Sequence, residues 1–93
     1  MNNILEFLPL GSIVELIGVK DVKFMVVSRA VLLGDEKKYF DYAACVYPIG
    51  VVEDKLTYFM KSDILRTVKL GFHDEDDELM ISNIMDGLKE LNL

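Results

Sequence analysis

Ninety-three residues with 52% apolar side chains fit one domain of ordinary size, which buries roughly 60 to 65% of the unfolded chain's surface and excludes both intrinsic disorder and a second core. Sixteen Asp and Glu against ten Lys and Arg leave a net charge of -6, which repels phosphate backbones and anionic lipid and argues against nucleic acid or a membrane as partner. No apolar run reaches the roughly 18 residues of a bilayer span, and Cys45, alone in the chain, allows neither an intramolecular disulfide nor a cysteine-based zinc site.

The start of the chain, Met1-Asn2-Asn3-Ile4-Leu5-Glu6-Phe7, lacks the basic end, apolar stretch and small-residue cleavage site of a signal peptide, so a cytoplasmic location is expected. Ile4 to Leu8 is expected to form a turn of helix before Pro9, Gly11 and Ser12 interrupt it. From there the pattern is β, with short apolar, β-branched and aromatic runs separated by turn signals. The first strand is expected over Ser12 to Ile17, with Gly18 to Asp21 as a hairpin turn. The second, Val22 to Leu33, alternates Val22, Phe24 and Val26 on one face with Lys23 and Arg29 on the other. After the polar loop Gly34 to Lys38, Tyr39 to Tyr47 places Phe40, Tyr42, Ala44 and Val46 on one side and is expected to be the central strand. Pro48 and Gly50 end it.

Leu56 to Met60 and Arg66 to Phe72 complete five strands, and Ser62 or Asp63 is placed to cap a single helical turn between them. From Asp76 the period changes. Ile81, Ile84, Met85, Leu88 and Leu91 recur every three or four residues, with Ser82, Asn83, Asp86, Lys89 and Glu90 opposite, the mark of an amphipathic helix. Asp74 to Glu78 supply carboxylates at its N-terminus, where free N–H groups and the helix dipole favour them, and Gly87 either permits a close approach or weakens the last turn. The predicted fold is α+β, one domain over residues 1–93: about five antiparallel strands in a small, partly closed sheet with a C-terminal amphipathic helix.

No catalytic constellation emerges. Cys45 and His73 have the chemistry of a nucleophile and base, but their spacing carries no information, and a cysteine on an alanine-rich strand is expected to be buried packing. The run Asp74 to Glu78 lacks the alternating ligands and glycine of a calcium loop, so it is read as helix capping, with no metal or cofactor expected. The seven clustered aromatics from Tyr39 to Phe72 lack the basic groove of a single-strand nucleic-acid platform and suit a core with tyrosines at its rim. One helix cannot cover both faces of a five-stranded sheet, which leaves apolar surface for docking.

In order along the chain, Leu8-Pro9-Leu10-Gly11-Ser12-Ile13-Val14, Met25-Val26-Val27-Ser28-Arg29, Tyr42, Tyr47-Pro48-Ile49-Gly50, Ser62-Asp63-Ile64 and Gly71-Phe72-His73-Asp74-Glu75 closely resemble a family of short, acidic bacterial proteins catalogued as a domain of unknown function. Phe59-Met60-Lys61 stands where that pattern has a phenylalanine-asparagine pair, and Ser28 where it commonly has glycine. Members are typically encoded beside LXG-domain polymorphic toxins of the type VII (Esx-like) secretion pathway in Gram-positive bacteria. The resemblance implies a cytoplasmic chaperone or targeting factor that is not an enzyme. It would bind the helical N-terminal LXG region of a toxin before export, alongside small helical proteins of the WXG kind. An immunity protein that blocks a toxin's catalytic domain fits the charge equally well. Helix-in-groove docking is expected to use Arg29, Tyr42, Tyr47 and Phe59 as protein-binding contacts, with Pro9, Gly11, Pro48 and Gly50 setting turns.

Overall fold

The computed structural model describes residues 6–93. Its elements in chain order are β1 (Ile13–Leu16), β2 (Lys23–Leu33), β3 (Lys38–Tyr47), β4 (Thr57–Phe59), a 3-10 turn (Lys61–Asp63), β5 (Ile64–Lys69) and α1 (Glu75–Glu90). Ile4 and Leu5 of the expected N-terminal turn lie outside the described residues, and Glu6 to Pro9 form no helix. The strands make one antiparallel sheet in the order β4-β3-β2-β1-β5, so the fold is α+β as the residue pattern predicts. β2 is its middle strand, not β3, which lies beside it.

The sheet is open, because β4 and β5 do not pair, but it is not flat. Five residue steps, Phe59 to Ile64, carry the chain from one outer strand to the other and reach at most about 18 Å. Four strand spacings in a flat sheet amount to about 19 Å. The short link is braced at its start: the Asp63 carboxylate accepts from the Met60 N–H at 2.8 Å, and the Asp41 carboxylate from the Lys61 N–H at 2.7 Å.

The inner face holds Phe7, Val14, Leu16, Phe24, Val26, Tyr42, Ala44 and Phe59, and α1 packs over them through buried Ile81 and half-buried Ile84, Met85 and Leu88. The opposite helix face, Ser82, Asn83, Asp86, Lys89 and Glu90, is exposed as its period predicts. Leu91, expected on the apolar stripe, lies one residue past the helix end and is exposed. Asp74 caps the helix, its carboxylate accepting from the Asp77 N–H at 3.0 Å.

One irregularity resets the central strand. Val26 pairs with Ala44 but Ser28 with Ala43, so Val27 is an extra residue, a β-bulge. Beyond it the two-residue alternation is inverted. Arg29, expected opposite Phe24 and Val26, instead sits across from Tyr42 on the same inner face.

A second constraint is a backbone crossing. The fully buried Ser12 hydroxyl donates to the Pro9 carbonyl at 2.7 Å and accepts from the Gly71 N–H at 2.9 Å. A Cβ at position 71 would overlap the Leu10 carbonyl oxygen and the Ser12 amide nitrogen. Gly87, by contrast, faces open space, so its role is not close packing. Gly71→Ala is therefore expected to lower the unfolding free energy by about 2 kcal/mol or more through forced backbone displacement. Gly87→Ala should raise it by about 0.5 to 1 kcal/mol through helix propensity and a less disordered unfolded chain. Urea titration followed by circular dichroism measures both.

Candidate protein-binding surface

The structure separates the four expected contact residues. Tyr42 is buried, its ring 5.8 Å from Phe7 and 5.6 Å from Phe59, and its hydroxyl oxygen accepts from the Leu8 N–H at 2.8 Å. Phe59 is buried beside it. Arg29 is also interior, with a side chain only 5% exposed. Tyr42 and Phe59 are corrected from contacts to framework, their rings consumed by the protein's own core, while Arg29 is held by an internal ion pair and reaches the surface only as part of the lining of a shallow depression. Tyr47, at the end of β3, is the one that is exposed.

Arg29 ties the sheet to the helix. Its Nη1 lies 2.8 Å from Asp77 Oδ1 and donates to the Leu8 carbonyl at 3.3 Å, while Asp77 Oδ2 lies 2.7 Å from His73 Nδ1. Burial pushes the Asp77 carboxyl up, but the hydrogen bonds and charges of His73 and Arg29 together outweigh it and hold the group below the usual carboxylate range. Burial also raises the Tyr42 phenol, only partly opposed by the Leu8 N–H. Cys45 and His73 have partners other than each other: the Cys45 Sγ faces the Met25 carbonyl at 3.8 Å, and His73 faces Asp77. Among the described residues, no group of three His, Cys, Asp or Glu is arranged to hold a metal ion, and no helix is long and apolar enough to cross a membrane.

Beside this joint the surface is apolar. Leu10, Val27, Ser28, Arg29, Met80 and Ile84 line a shallow depression of about 250 Å³ between the bulged strand and the first half of α1. Leu10, Leu79 and Met80 are about half exposed or more, and Phe72, next along the chain from the Gly71 crossing, is 80% exposed. The helix's first turn supplies an acidic border, with Asp74, Glu75, Asp76 and Glu78 all exposed. Pattern reading missed this surface for a definite reason. Leu79 and Met80 precede the apolar stripe that begins at Ile81, and Phe72 lies beyond β5, which ends at Lys69 and not at the expected Phe72.

The model of the family described as Domain of unknown function (DUF4176) matches residues 7–80, which include the whole sheet, the Ser12–Gly71 crossing and the Arg29–Asp77 pair. The chain belongs to that family. No curated protein and no solved structure matches it. The matched segment ends at Met80, so it holds the acidic first turn of α1 and most of the apolar depression, while the core-facing stripe from Ile81 onward lies beyond it.

Two measurements probe the joint. Arg29→Met removes one of the two side-chain partners of the Asp77 carboxylate, leaving His73, and is expected to cost about 1.5 to 3 kcal/mol, whereas Arg29→Met with Asp77→Leu should recover much of that loss, read by urea denaturation. The pH dependence follows from the depressed Asp77 group. Its contribution is complete above the ordinary aspartate range, near pH 4, and is lost as pH falls through the lower value it has in the folded protein. Stability measured from pH 6 to pH 2 should fall less steeply for Asp77→Asn than for the native chain.

Proposed function

We propose that this protein is a cytoplasmic chaperone or targeting factor that binds the helical N-terminal LXG region of a type VII secreted toxin. The observation that carries the reading is an uncovered apolar depression, lined by Leu10, Val27, Met80 and Ile84, on the helix whose start exposes Asp74, Glu75, Asp76 and Glu78. An amphipathic helix suits such a surface, with apolar anchors at i, i+3, i+4 and i+7 in the depression and flanking Lys or Arg against the carboxylates. The client class comes from the family resemblance, whose pattern residues from Leu10 to Ser12, Val27 to Arg29 and Gly71 to Glu75 build this same corner.

Binding here is by adhesion. Burying two or three half-exposed Leu and Met side chains contributes a few kcal/mol, and the carboxylates add steering and partner choice. Mixing the intact protein with the toxin's N-terminal region should give a complex at micromolar concentration or below, measured by isothermal titration calorimetry. Met80→Asp and Phe72→Asp, both at exposed positions, should each weaken it about tenfold or more, and added salt should weaken it further. Absence of a complex with the N-terminal region, together with tight binding to the toxin's C-terminal catalytic domain, would replace this reading with immunity.

A further inference from the structure

A second apolar surface lies at the other end of the sheet, and its charge differs in kind. The first residue of β2 pairs with the last of β3, Lys23 with Tyr47, so the β1–β2 turn and the β3–β4 connection leave the sheet side by side. They share a polar hollow lined by Glu15, Asp21, Lys23, Tyr47 and Pro48. Around it Ile17, Val19, Tyr47, Ile49, Val51 and Val52 are all exposed, Ile49 at 69% and Ile17 at 61%. Six large apolar side chains on two adjoining loops exceed the scattered exposure that a monomer's surface ordinarily shows.

What covers them is decided by charge. Across these two loops and the first residue of β2, Lys20, Lys23 and Lys55 stand with Asp21, Glu53 and Asp54, a rim of both signs that sums to zero in a chain of net charge -6. Glu15, at the edge of the hollow, is already held by Arg66 at 2.8 Å. A two-fold contact sets each surface against itself, so its rim must carry both signs for lysines of one copy to meet carboxylates of the other. The loop end satisfies that condition. The helix-start end does not, because two copies would oppose their exposed carboxylate runs.

We infer that the β1–β2 turn and the β3–β4 connection form a self-association face, through which two copies of this protein pair symmetrically and leave both helix-start surfaces free. The inference is independent of the client reading, since it uses the opposite end of the sheet and different residues. The contact is small, so its dissociation constant is expected on the order of 10 µM. Because each copy carries -6, screening their mutual repulsion should tighten the pair, the opposite sign to the salt effect expected at the acidic surface.

Sedimentation equilibrium of the intact protein alone, from about 1 to about 200 µM and at two salt concentrations, tests this. A monomer–dimer equilibrium is expected that strengthens with salt, weakens at least tenfold in Ile49→Asp and in Val51→Asp, and is unchanged in Phe72→Asp. All three sites are exposed, and far-UV circular dichroism confirms folding of each variant. A protein that stays monomeric across the range overturns the inference. So does a dimer that survives both loop substitutions or dissociates on Phe72→Asp.

Discussion

The ion pair between Arg29 and Asp77 determines how the two layers of this protein meet. A guanidinium and a carboxylate that are nearly excluded from water cost several kcal/mol to desolvate, and that cost is offset only when each finds fixed partners. Here the partners are complete: Arg29 also reaches the Leu8 carbonyl, and Asp77 also meets His73. Three segments distant in sequence are thereby held at one point. The bulge at Val27 makes this possible, because without it Arg29 would stand on the outer face of the sheet.

The same joint explains why one end of the molecule is greasy and acidic together. Asp77 is drawn down onto the sheet, so its neighbours on the first turn point outward, and Leu79 and Met80 are left uncovered before the helix settles onto the core at Ile81. The Ser12–Gly71 crossing brings Leu10 to the same place. Elsewhere on the sheet, two loops and the first residue of β2, with charges of both signs, carry the other exposed apolar group. Two surfaces of similar greasiness are therefore distinguished by electrostatics alone, which sets partner choice and association rate more than it sets affinity.

Much of this was legible in the residue pattern, and the failures have physical causes. Strand number, the helix and its acidic cap follow from a period of two giving way to a period of three to four, with turn residues at each boundary. The α+β class with five antiparallel strands and a C-terminal helix follows from that pattern, while the degree of closure does not, because it is set by the short link between the outer strands and not by composition. Arg29 was misplaced because a bulge among Val26, Val27 and Ser28 leaves no mark in hydrophobicity: the strand reads smoothly in either register. Tyr42 and Phe59 alternate correctly onto the inner face, and treating them as contacts set their aromatic character above their position.

The pairing of β5 with β1 has a consequence for how the chain is made. Ile13 lies against Lys69, so one edge of β1 waits for a strand made about fifty residues later. Until then β1 exposes unpaired amides and carbonyls on the growing polypeptide, a template for intermolecular strand pairing. Closing so long a loop carries an entropic cost that local hairpins avoid, which makes β5 docking a late event. The sheet can therefore be completed, and the helix can lie down upon it, only after residues through Lys69 have left the ribosome.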